Sequence, residues 1–276
     1  MSIGTGQLFQ IFKYSVYALL AINTGHFFLE NFSGSAFTYE DGVALSDIIV
    51  AYTDAIDTAA WLVLLMLLEL ETWVLPDEKI KGWVDGIISV VSFACWAVIL
   101  YSFYGYIATL GVPFGFDAYI GPDPCGLTGT GASFANALDD YELLNATNCQ
   151  ALAANAYYSV SDNMFASAEN LSLIKRLAWT DVVNAGLWVL IVIILELEIY
   201  LKSSALIGTK FFLAYKSFKV LLYSILFVNA GYWWYLGEPW DAWDAMLWIV
   251  AFFFIEMNML KWQEERAQLR AAGLIE

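Results

Sequence analysis

Apolar residues fall along this chain in six long runs, at roughly 9–29, 48–75, 83–112, 177–201, 205–236 and 240–262, separated by short polar stretches. A run of about 20 apolar residues is long enough to cross the hydrocarbon core of a bilayer as a helix. The pattern predicts an all-α polytopic membrane protein of six transmembrane helices, with a long loop at 113–176 between helices 3 and 4. Composition points the same way. Of the 276 residues, 60% are hydrophobic, where about half is usual for a soluble domain.

Three of the runs carry the same polar residues at the same spacing. Span 2 reads DAIDTAAWLVLLMLLELE from Asp54 to Glu71. Span 4 reads DVVNAGLWVLIVIILELE from Asp181 to Glu198, and span 6 reads DAWDAMLWIVAFFFIEMN from Asp241 to Asn258. All three obey D-x2-[DN]-x3-W-x7-E-x-[EN] without a gap. Spans 1 and 5 share a second pattern, with Lys13, Asn23 and Gly25 spaced like Lys219, Asn229 and Gly231. Span 3 keeps only the glycine, Gly105. The chain reads as three repeated two-helix hairpins: 1–76, 77–202 with the insertion 113–176, and 203–262, followed by a tail at 263–276. Part of the insertion, NALDDYELLNATNCQALAANAYYS, reads as helical.

Helical geometry sorts the motif into layers. At 100° per residue, Asp54, Asp57, Trp61, Glu69 and Glu71 fall within an arc of about 160°, while Val63, Met66, Leu67 and Leu70 lie opposite. Asp57 and Glu69 stand about 18 Å apart along the axis, within a hydrocarbon core of about 30 Å. Three such helices offer an outer layer of Asp54, Asp57, Asp181, Asn184, Asp241 and Asp244. They also offer an inner layer of Glu69, Glu71, Glu196, Glu198, Glu256 and Asn258. Trp61, Trp188 and Trp248 form an apolar barrier between them.

The two layers differ in how readily a structural role explains them. Acids that begin helices accept backbone N–H bonds and suit the positive dipole end, which accounts for the outer aspartates. The inner glutamates sit in last turns, where the dipole disfavours them, and a carboxylate at membrane depth costs about 2.5–3.5 kcal/mol even on lenient scales. A lysine partner or a cation must offset that cost. Lys13 and Lys219 lie at the right depth to clasp glutamates in two of the hairpins; span 3 has no counterpart. Carboxylates and amides suit protons, sodium, calcium, magnesium or manganese. The single histidine, His26, and the absence of cysteine from both layers argue against zinc, copper and haem.

Charge sets the remaining expectations. Nearly all Lys and Arg fall on one side of the six-span map, so both termini are expected in the cytoplasm and the acidic loop on the other side. A net charge of −16 disfavours nucleic acid and anionic lipid as partners. The partners expected are the lipid bilayer and either further membrane subunits or copies of the chain. Cys125 and Cys149, both in the long loop, are expected to form a disulfide. The triplets NFS at 31, NAT at 145 and NLS at 170 have the glycosylation pattern. Trp233, Trp234, Tyr235, Trp240 and Trp243 look like an interface belt. No nucleophile stands beside a base, so an enzyme is disfavoured. Two functions follow: a cation transporter or channel using both carboxylate layers, and a non-catalytic subunit of a larger membrane complex. A quinone oxidoreductase lacks a cofactor ligand set.

Overall fold

The computed structural model describes residues 5–39, 42–75, 81–202 and 210–271, with side chains at all of these except 5–6, 72–73, 196–202, 210–212 and 259–271. The chain is mostly helical. Helix α1 runs Thr5–Thr38, α2 Ile48–Ala51, α3 Thr53–Glu69, α4 Trp83–Thr109, α5 Ala168–Lys202, α6 Lys210–Leu236 and α7 Pro239–Ala271. Three stretches, Trp83–Gly115, Ala168–Leu195 and Leu213–Leu236, are long and apolar enough to cross a membrane.

The second apolar run is not one continuous helix. It breaks at Tyr52, whose backbone (φ −131°, ψ 32°) leaves the helical region, and the short α2 precedes the break. Thr53 turns its hydroxyl back onto the Ile49 carbonyl, a local bond that competes with helical pairing. Gly105 of α4 packs against this joint, where an added Cβ would lie 2.6 Å from Thr53 Oγ1. At its other end α3 passes into a π-helical turn, Leu70–Val74, closed by the Leu75 amide on the Leu70 carbonyl.

The long helices pack in chain order: α1 on α3, α3 on α4, α4 on α5, α5 on α6, α6 on α7, and α7 back on α1. They form a closed ring. Each contributes one essentially inaccessible residue to a common core: Leu20, Leu65, Ile99, Ile191, Leu226 and Ala251. Half of the apolar window of α5 is buried, against 22% for α4 and α6. Helix α5 therefore faces inward, while α4 and α6 present rows such as Val90, Phe93 and Leu100, or Val220, Leu221 and Val228, to the outside.

The insertion corrects the all-α expectation. It folds as a five-stranded sheet of β1 (Asp117–Ala118), β2 (Ser133–Ala135), β3 (Tyr141–Leu143), β4 (Ala156–Ser159) and β5 (Met164–Ser167), ordered β1-β4-β5-β2-β3. Strands β2 and β5 pair in parallel and the other neighbours antiparallel. The segment read as helical, 136–159, is instead the turn after β2, then β3, a short 3-10 turn and β4. A tight turn with Asp139 (φ 62°) in the left-handed region breaks a helix there, and a second, with Asn163 (φ 49°), follows between β4 and β5. The Cys125–Cys149 disulfide joins two 3-10 turns that pack with Phe134 and Phe165, on the sheet face opposite the one α1 meets. The insertion also ends early, because α5 begins at Ala168. Likewise α1 runs nine residues past the expected end of span 1, and its extension packs under the sheet through Phe37.

Candidate functional site: an acidic chamber above an aromatic plug

At the ring end away from the sheet, Glu69 is buried among donors. Lys13 Nζ lies 2.5 Å from its Oε1, and both side chains are at most 5% exposed. Tyr14 also donates to Oε1, while Tyr17 and Asn258 donate to Oε2. One carboxylate thus ties α1, α3 and α7 together. Glu256 has a smaller version of the same arrangement, accepting from Lys219 at 2.9 Å and Tyr223 at 2.7 Å, both on α6. The Tyr stands four residues after the Lys in each case, one helical turn on, so both reach the same acid. Glu71 lies in the π-helical turn and is half-buried. The side chains of Glu196 and Glu198 lie outside those described.

Between the two ends the three motif tryptophans close on one ring. Phe252 of α7 lies 6.0 Å from Trp61, 4.6 Å from Trp188 and 6.3 Å from Trp248 between ring centroids, and all four are buried. Phe252 is eight residues from Asp244 and four from Glu256, so the plug lies about 12 Å from one and about 6 Å from the other. The geometry explains part of the motif. The indoles of Trp61 and Trp248 come within hydrogen-bonding reach of Asp57 and Asp244, each one turn before them.

On the sheet side of the plug the aspartates line two adjoining chambers. The first, about 60 Å³, is bounded by Asp54, Asp181, Asp241, Asp244, Tyr106 and Asn184 among others. The second, about 40 Å³, shares Asp54, Asp181 and Asp241 and adds Glu30, Asp139 and Glu238. A water needs about 10–15 Å³ of such space, so the two chambers together have room for several. Seven carboxyl groups face this space and no lysine, arginine or histidine lines it, among the described residues. No three of them converge tightly enough to form a metal-holding group, again among the described residues. They surround water-sized space instead.

Helix capping accounts for only some of the aspartates. Asp54 and Asp241 do stand in the first turns of α3 and α7. Asp181 lies thirteen residues into α5, where no free backbone amide awaits it. Side chains of neighbouring helices supply the donors: Asn23 to Asp244 at 2.9 Å, Asn31 to Asp54 at 3.1 Å, and Trp233 Nε1 to Asp181 at 3.2 Å. Trp233 is 5% exposed, so it belongs to the site and not to an interface belt. Asn184 Oδ1 on α5 and Asn229 Nδ2 on α6 are buried with no hydrogen-bond partner among the described residues.

The sheet covers the chamber through the β2–β3 turn. Ala137 and Leu138 pack on Leu177, Ala230, Trp233, Ala242 and Ala245 of α5, α6 and α7. The next residue, Asp139, enters the second chamber, and its carbonyl lies against Gly34 of α1, within 3.2 Å of an added Cβ. Burial in the chamber pushes the Asp139 carboxyl up to about 8, helped by the charges of Asp54, Glu30 and Glu238. Burial also raises Glu238, with Asp140 adding to the effect.

No protein-family model matches the chain, and no curated protein or solved structure matches it either. The functional assignment therefore rests on the site itself. Sequence reasoning missed Tyr17 and Tyr223, although the shared Lys-x3-Tyr spacing was there to be read. It also missed Phe252, Tyr106, Glu30, Asp139 and Glu238, which no spacing within a single helix marks out.

Two outcomes are expected. Removing one partner of a sealed ion pair costs about 3–5 kcal/mol, so Lys13→Met should lower the melting temperature in detergent far more than Lys219→Met. The Lys219 pair is about one-fifth exposed, which leaves it worth roughly 1 kcal/mol. The second concerns the turn. Because the Asp139 carboxyl rises from 3.8 to about 8 when docked, docking is strongest in acid and weakens as pH climbs through that interval. Hydrogen exchange at 136–140, corrected for intrinsic rates, should show protection falling across it, and Asp139→Asn should flatten the dependence.

Proposed function

We propose that this chain is an integral membrane cation transporter or channel built of three hairpin repeats crossing the bilayer six times. Both termini lie in the cytoplasm and the sheet on the opposite face. Cations enter from the sheet side into the chamber of seven carboxyls, which concentrates them, and Phe252 with its three tryptophans forms the closed barrier beneath. The observation that carries this reading is a water-sized space faced by seven carboxyls and by no lysine, arginine or histidine among the described residues. Such intramembrane ionisable groups mark ion or proton pathways. Protons or a partly hydrated cation such as sodium suit carboxyls that surround space without converging on a point. Calcium, magnesium and manganese remain within the same hard-ligand class.

The inner layer has a different role in this reading. Glu69 and Glu256 hold the helices together through Lys13 and Lys219, and the ion site is the outer layer. The same clasps also favour the second reading, a non-catalytic subunit of a larger membrane complex, because sealed glutamates stabilise a helix ring without carrying anything.

Flux separates the two. Proteoliposomes bearing wild-type protein should pass protons or one of the named cations down a gradient. Asp181→Asn with Asp241→Asn should cut that flux by roughly tenfold or more, the effect of about 1.4 kcal/mol lost from ion binding. No flux from well-folded wild type would favour the subunit.

A further inference from the structure

The three glycosylation-type triplets have the same sequence logic but different surroundings. Modification uses the asparagine Nδ2, so what that atom touches decides which site the fold can accept. Asn31 lies inside α1, is 5% exposed, and donates its Nδ2 to Asp54 while its Oδ1 accepts from the Ala55 amide. A glycan there would occupy the space of α3. Asn170 lies in the first turn of α5, half-buried, with its Nδ2 held 2.8 Å from the Ala135 carbonyl of β2. A glycan there would displace the strand.

Asn145 is different on each count. It is exposed, in the loop after β3. Its Oδ1 accepts from the amides of Thr147 at 2.8 Å and Asn148 at 3.1 Å, an Asx turn that folds the triplet back on itself. Its Nδ2 makes only a long contact of 3.3 Å with the Leu143 carbonyl. The Cys125–Cys149 disulfide, four residues on, fixes the loop on the sheet surface. Both Ala146 and Thr147 are also exposed.

We propose that Asn145 is an N-glycosylation site, and that it alone of the three triplets carries a glycan in the folded protein. The donor is an oligosaccharide linked to a lipid phosphate. Asn145 Nδ2 forms the new bond to the anomeric carbon. The bond from that carbon to the phosphate oxygen breaks, its electron pair leaving on the lipid phosphate, and Nδ2 gives up one proton to a base of the transferase. A bulky polar group there suits a solvent-facing surface. The inference rests on the placement of the sheet outside the cytoplasm.

Peptide mass mapping of protein purified from its native membrane tests this. The peptide bearing Asn145 should carry a glycan mass that disappears in Asn145→Gln, while peptides bearing Asn31 and Asn170 run at their bare masses. Thr147→Val should abolish the mass as well. It keeps the Asn145 side chain and the Thr147 amide, so it guards against loss through misfolding. In parallel, Val160→Cys, at a position 80% exposed in the turn after β4, is treated with a membrane-impermeant thiol reagent in intact cells. A bare Asn145 peptide in a protein labelled at position 160 overturns the modification and leaves the topology standing. Labelling only after lysis overturns the placement of the sheet, and the modification with it.

Discussion

A carboxylate taken out of water must be given a donor, a proton or a cation, because its charge is otherwise far too costly to bury. This chain buries such groups at both ends of one helix ring and satisfies them in opposite ways. Glu69 is saturated: Lys13, two tyrosines and Asn258 converge on it. Asp54, Asp181 and Asp244 at the sheet end receive donors from neighbouring helices and also face water-sized space. Saturation makes a rigid joint. Partial satisfaction makes a place where charge can change.

The rest of the fold serves that contrast. Closing the ring by packing α7 against α1 brings Asp244 to Asn23 and Asn258 to Glu69, groups more than 180 residues apart in sequence. The close approach of α4 at Gly105 sets Tyr106 beside Asp54. The sheet, fixed by its disulfide, sends one turn down onto the chamber. Phe252 with its three tryptophans stands between the acidic chamber and the clasped end.

Much of the helical part was legible because it depends on local spacing. Asp57, Trp61 and Glu69 share a face by helical arithmetic alone, and the depth of Lys13 and Lys219 marked them as partners for the glutamates. Residues whose role depends on distant chain could not be found that way. Asp139 reaches the chamber only because a left-handed turn points it there, and the Ala- and Leu-rich composition around it favours helix until that turn is imposed. Trp233 looked like a surface aromatic because its partner, Asp181, lies on another helix. The left-handed turn at Asp139, not local propensity, decides the structure there.

The barrier in the proposed reading is Phe252, gripped by Trp61, Trp188 and Trp248 between the acidic chamber and the clasped end. Passive ion leak through proteoliposomes containing Phe252→Ala, checked for an intact fold, tests it most directly. The expected result is a leak well above wild type that is suppressed when Asp181 and Asp241 are also replaced by asparagine. A folded Phe252→Ala protein no leakier than wild type would contradict it.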